Sequence, residues 1–255
     1  MKVLFTSVNV IEQSIEELNL LYTTAKKFFL PNHQVDFVLF SDNDISIDGV
    51  TTIKINTPKI LSKSYYQFLK VLSLNEINLE NYDYIFVNDS DQMYVDYVND
   101  EDLLNNKLCI LSHFYRSMSL KEHIKFWTDI IEIEDPNVQH TMGNFFGGPK
   151  DLMKGFLNYC NEFWRVNENY SFRGSGFFAE YPEEILLIKY ILDKKIPFVR
   201  LSTDIQMSNK SFMTNINASG NVLNDYKNFK LIHNTKIDIG LSNQLFNIIN
   251  NNRDL

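Results

Sequence analysis

Asp89 and Asp91 close the run Asn81-Tyr82-Asp83-Tyr84-Ile85-Phe86-Val87-Asn88, and their i, i+2 spacing is the clearest chemical signal in the chain. The run reads as a buried strand. Alternate residues of an extended segment point the same way, so both carboxylates approach one ion together. Ligands of open α/β sheets gather at the carboxyl ends of strands. An Asp-x-Asp there is placed to hold a hard divalent cation, Mn²⁺ or Mg²⁺, against a diphosphate. The competing account is a polar exit from strand to turn, because such triplets are common in loops.

Three other groups carry chemistry. In His140-Thr141-Met142-Gly143-Asn144-Phe145-Phe146-Gly147-Gly148, glycines flank two aromatics. That composition suits a backbone passing close to a ligand, or a turn with core Phe residues. In Tyr181-Pro182-Glu183-Glu184-Ile185, two carboxylates fall in the first turn of a helix, where the dipole favours them. Their functional account sets one beside a sugar C1, as nucleophile or as stabiliser of an oxocarbenium-like centre. In Leu231-Ile232-His233-Asn234-Thr235-Lys236, a strand-end His either completes a metal site or is structural. The nearby Lys236 neutralises a leaving diphosphate as a point charge.

The elements that must position these groups alternate. Val3 to Val10 reads as a first strand, Glu12 to Phe29 as a helix stopped by Pro31-Asn32, and Val35 to Phe40 as a second strand. A short strand from Val50 to Ile55 and a helix from Tyr65 to Leu74 lead to the Asp-x-Asp strand. This order indicates βαβ units and a mainly parallel sheet flanked by helices, an α/β fold of Rossmann-like type. The second half is less regular. Strands are expected at Leu108–His113, Pro197–Leu201 and Phe229–His233, and helices at Leu120–Ile131, Lys150–Trp164 and Glu183–Leu192. Tyr170–Phe178 and Ser208–Asn228 read as loops, and the tail from Asn250 as frayed.

The 255 residues fit one large α/β domain, and 44% hydrophobic with 14% aromatic content supplies a sizeable core. A net charge of -8 argues against nucleic acid as partner, since phosphate affinity rests on clustered Lys and Arg. Cys109 and Cys160 lie in apolar surroundings and read as buried free thiols rather than a disulfide. The amino terminus reads as a core strand instead of a signal segment, and no apolar run approaches the roughly 20 residues of a membrane span. A cytoplasmic protein, monomeric or homodimeric, is expected.

Taken together, these motifs resemble nucleotide-sugar glycosyltransferases of the GT-A type. Over residues 60–201 the chain is similar to the family of the blood-group A/B and α-1,3-galactosyltransferases, glycosyltransferase family 6. Tyr82-Asp83-Tyr84 leading to Asp89-Ser90-Asp91 matches that family's metal-binding Asp-x-Asp. His113-Phe114-Tyr115 resembles its acceptor stretch without the Pro-Gly. Met142-Gly143-Asn144-Phe145-Phe146-Gly147-Gly148 resembles its donor-sugar segment. Glu183-Glu184 with Lys189-Tyr190 resembles its acidic run, so Glu184 takes the role of nucleophile or stabiliser and Glu183 that of its acidic neighbour. The Trp-His before that run is Tyr181-Pro182 here. Beyond residue 202 the resemblance ends, and His233 with Lys236 resembles instead the carboxyl-terminal His and Lys of the glycogenin-like family 8, whose His is a metal ligand.

The resemblance implies a single GT-A domain over 1–255, with a nucleotide-binding half at 1–115 and an acceptor and catalytic half at 116–255. It implies retaining transfer of galactose, N-acetylgalactosamine or glucose from a UDP-sugar to a glycan. Metal ligands would be Asp89, Asp91 and His233. Nucleotide contacts would come from Thr6, Ser7, Val8, Asp42, Tyr66, Asp89, Ser90 and Lys236, with Arg173 or Lys210 adding charge. His113, Met142, Gly143, Asn144 and Trp127 would meet the sugars, with Trp164 on the acceptor side. The alternatives are an inverting enzyme with Glu183 as base, or a non-catalytic nucleotide-sugar-binding module. A phosphatase using Asp-x-Asp would carry the pair after the first strand, where this chain has none.

Overall fold

A computed structural model of the chain describes residues 1–10, 14–57, 63–112, 141–167, 182–201, 211–215, 228–233 and 239–251. Its centre is a seven-stranded sheet. The strands are β1 (Lys2–Asn9), β2 (Gln34–Ser41), β3 (Thr51–Lys54), β4 (Tyr84–Asn88), β6 (Leu108–Ser112), β7 (Thr141–Pro149) and β8 (Phe198–Leu201), in the order β3-β2-β1-β4-β7-β6-β8. All neighbours pair in parallel except β7, which runs antiparallel to both β4 and β6. A smaller sheet orders β5 (Gln92–Tyr94), β10 (Phe229–His233) and β9 (Ser211–Asn215) as β5-β10-β9.

Period-2 alternation sends neighbouring side chains to two separate cores. Phe5, Phe86 and Cys109 face one side of the main sheet, where α1 (Ile15–Phe28), the small sheet and Leu245 of α6 (Ile239–Asn251) cover them. Leu4, Ile85 and Ile110 face the other, under α2 (Lys63–Leu72), α4 (Lys150–Asn167) and α5 (Pro182–Lys194). A short helix, α3 (Asp100–Leu103), precedes β6. Cys109 and Cys160 belong to opposite cores and are free thiols, as expected; burial pushes Cys109 up to about 12.

The N-terminus of α1 forms because Ser14 accepts from the Glu17 backbone at 3.2 Å while the Glu17 carboxylate accepts from the Ser14 backbone at 3.3 Å. This reciprocal pair satisfies two orphan amides.

The alternation of strands and helices through Asn88 follows the sequence expectation closely. Three differences arise further on. The glycine-rich stretch from Thr141 is no turn but a nine-residue strand, β7, because β4 and β6 each require a partner on that side. Part of the expected loop at Ser208–Asn228 is strand β9, which pairs in parallel with β10. Residues 239–251 form α6, which reaches into the region expected to fray. The expected helix at Leu120–Ile131 and loop at Tyr170–Phe178 lie outside the described residues. Among the described residues no helix is long and apolar enough to cross a membrane.

Candidate functional site

From β1 the chain builds β2 and β3 on one side, then returns to place β4 on the other. The connection order therefore reverses between β1 and β4, where open α/β sheets leave a crevice at the strand ends. Asp89 follows the last residue of β4 at that point, and Asp89-Ser90-Asp91 turns the chain into β5. The turn is stitched to β7. Asp89 N donates to Asn144 O at 2.8 Å, and Gln92 Nε2 donates to the same carbonyl at 2.9 Å. Asn144 Nδ2 donates to Asp89 Oδ2 at 2.9 Å, which fixes that carboxylate's orientation.

The first turn of α5 arrives on the neighbouring residue of β7. Gly143 N donates to Glu184 Oε1 at 2.7 Å. A Cβ on Gly143 would lie 2.5 Å from Glu183 Oε1 and 3.0 Å from Glu184 Cγ, so a side chain here would displace the Glu183 carboxylate. The Asp-x-Asp turn and the acidic pair, far apart in sequence, thus meet across two residues of one strand.

Lys70, which the motifs did not single out, joins them. It projects from α2, ion-pairs with Asp89, and lies 3.6 Å from Glu183 Oε1. Its side chain is 4% exposed, that of Glu183 1% and that of Asp89 16%. Burial disfavours the Lys70 charge, but Asp89 and then Glu183 outweigh it and raise its pKa. Burial pushes Glu183 up to about 7, with the Lys70 ammonium holding it back. Glu184 is held well above the usual carboxylate range, by burial first and by the Glu183 charge second, against the Gly143 amide. Neither oxygen of Glu183 accepts a hydrogen bond among the described residues. The signal for Lys70 in the sequence was a lysine inside the apolar helical run Tyr65–Leu72, one turn after Tyr66.

Tyr66 stands beside this group: Lys70, Asp89 and Asp91 all act on its hydroxyl, which burial pushes up to about 12. It donates to Val8 O at 3.4 Å. Thr6, Ser7 and Val8 are interior residues of β1. Thr6 Oγ1 donates to Phe86 O at 3.3 Å, and Ser7 Oγ shares a 2.6 Å hydrogen bond with Tyr22 Oη. Asp42 follows β2 and accepts from Asn43 Nδ2 at 2.9 Å and Thr57 Oγ1 at 3.1 Å. Ser90 is buried within the turn, and Met142 packs into the α1-side core. Trp164 packs on Tyr65 and Phe68, at ring distances of 5.1 and 5.5 Å.

The backbone of His233 pairs with Gln92, which sets the end of β10 beside the Asp-x-Asp turn. The His233 side chain, with His113, Trp127, Arg173, Lys210 and Lys236, lies outside the described residues. Among the described residues no three His, Cys, Asp or Glu side chains converge as a ligand set. Asp89 and Asp91 offer oxygen donors alone, a chemistry that fits Mg²⁺ or Mn²⁺ rather than a soft metal. Compared with known proteins, the chain matches no family model, and no curated protein is significantly similar to it.

Proposed function

We propose that this protein is a retaining GT-A glycosyltransferase that moves a hexose from a UDP-sugar to a glycan acceptor with a divalent cation. One observation supports the reading above others. The Asp-x-Asp turn and the Glu183-Glu184 pair meet, through Asn144, Gly143 and Lys70, at the strand ends where the sheet order reverses.

Asp89 and Asp91 would hold Mn²⁺ or Mg²⁺, with His233 as third ligand, and the ion supplies Lewis-acid charge to the departing diphosphate. Asn144 keeps the Asp89 carboxylate aimed by its 2.9 Å hydrogen bond. Tyr66, Asp42 and the end of β1 border the space assigned to uridine, and Lys236 adds charge at the phosphates. Glu184 is the group assigned to the anomeric carbon. Gly143 fixes one of its oxygens at 2.7 Å, so its carboxyl is oriented before the reaction. It acts as an anion, and positive charge developing at the anomeric carbon offsets the burial that raises its pKa. His113 and Trp127 are assigned to the acceptor side.

The test is UDP release from a panel of UDP-sugars with Mn²⁺ and a glycan acceptor. Asp91→Ala is expected to reduce release to background with the fold intact. Glu184→Gln is expected to reduce turnover at least about 10²-fold, the scale on which one catalytic group acts, while UDP still binds. Near-normal turnover of Asp91→Ala would remove the cation from the account. Binding of UDP-sugars without any release would make the protein a binding module.

An inverting mechanism is favoured by a separate observation: burial brings Glu183 up to about 7, where a general base works best. NMR of the product's anomeric proton distinguishes retention from inversion.

A further inference from the structure

We propose that Lys70 is a built-in counter-cation shared between Asp89 and Glu183, so that a divalent cation binds at Asp89 as the Lys70 ammonium is ceded to Glu183. This rests on reading Asp89 as a cation ligand. Lys70 and Glu183 are positioning residues in it.

The geometry supplies both ends of the transfer. Lys70 Nζ is paired with Asp89, and Glu183 Oε1 lies 3.6 Å from it. With 4% of its side chain exposed, Lys70 has no path to water that keeps its charge solvated. Glu183 is the anion ready to receive it: buried, and already ionically compensated by Lys70. Closing the 3.6 Å gap to Glu183 down to an ordinary ion-pair length takes a shift of about one ångström.

Charge counting gives the direction. One ammonium serves two carboxylates, the buried Glu183 and the partly exposed Asp89. A divalent ion held by Asp89 and Asp91 would bring a second cation onto Asp89 beside the Lys70 ammonium, and like charges in contact meet repulsion where solvent screening is weak. Movement of Lys70 onto Glu183 relieves it. The same movement compensates Glu183, the like charge next to Glu184. Occupancy of the cation site thereby lowers the cost of ionising the group assigned to the anomeric carbon. Lys70 and Glu183 would in this way couple the cation ligand to Glu184.

The experiment titrates Mn²⁺ into the intact protein without nucleotide and follows free Mn²⁺ by electron paramagnetic resonance, with circular dichroism as the fold check. Lys70→Met is expected to bind Mn²⁺ at least about tenfold more tightly, because a like charge at contact distance is gone. Glu183→Gln is expected to weaken Mn²⁺ about tenfold, although Glu183 does not touch the ion, because Lys70 is left on Asp89 alone. In the double variant the Glu183 effect should vanish. Should Lys70→Met fail to fold, the isosteric Glu183→Gln carries the test by itself. Unchanged affinity in both variants, or weaker binding in Lys70→Met, overturns the role of Lys70. If Mn²⁺ binding is then still abolished by Asp91→Asn, the cation reading survives. If neither wild type nor Lys70→Met binds Mn²⁺, both fall.

Discussion

Glu183 shows what burying an ionisable side chain does to a whole molecule's behaviour. Its folded-state pKa is raised by burial from the ordinary 4.5 to about 7. A raised acid binds its proton more tightly in the folded than in the unfolded state. The stability it contributes is therefore complete below about 4.5 and is lost as the pH climbs through about 7. A tenfold difference in proton affinity between the two states is worth about 1.4 kcal/mol. The melting temperature of wild type should fall relative to that of Glu183→Gln as the pH goes from about 5 to about 8. A difference between the two that stays constant over this range would mean that burial does not raise the proton affinity of Glu183. At this scale the sequence exposed the acidic groups well. Asp89, Asp91, Glu183 and Glu184 stand in short motifs whose spacing has mechanical meaning. Lys70 has no such motif. A single lysine in an amphipathic helix ordinarily lies on the solvent face, and only the packing of α2 shows that it turns inward.

The element that does most to assemble the site is β7. Entering between β4 and β6 with opposite direction, it delivers Gly143 to α5 and Asn144 to the Asp-x-Asp turn. Two of its residues opposite β4, Gly147 and Gly148, are glycines. A Cβ on Gly147 would strike Ile85 O and come within 2.7 Å of Phe86 Cα, backbone that cannot swing aside. Gly147→Ala should therefore cost about 1–3 kcal/mol, as overpacking does. At roughly 2–4 °C per kcal/mol for a chain of this size, thermal melting would show it clearly. A melting temperature within error of wild type would mean that β7 is not pressed against β4. This strand was the hardest element to read. Glycines among aromatics look like a turn by composition, and the alternation that marks a half-buried strand is absent because both faces are covered. By contrast, β1, α1, β2 and β4 carry apolar periodicities that act locally, so β1 and β2 were legible within one residue and α1 and β4 within three. The strands β5 and β9 are ordered by pairing with β10, and the Asn-rich α6 packs on α1, so all three left weak local signals.

At the scale of the molecule, the sheet order sets an acidic wall at the strand ends where it reverses. Asp89, Asp91, Glu183 and Glu184 gather there, with Asp42 at the neighbouring strand end, and the whole chain carries a net charge of -8. A diphosphate approaching such a wall meets repulsion that Lys70, already held between two carboxylates, does little to offset. Nucleotide binding should then depend on an added cation. Ligands that bind only the folded state stabilise it by about 2.7 kcal/mol at a hundred times their dissociation constant. For a chain of this size that is a rise of roughly 5–10 °C in melting temperature. UDP with Mn²⁺ should produce that rise. UDP with EDTA, and UDP with Mn²⁺ on Asp91→Ala, should produce little or none. An equal rise with EDTA would show that the nucleotide is held without the ion, leaving the acidic wall to another task. No rise with any nucleotide would take the diphosphate out of the crevice altogether.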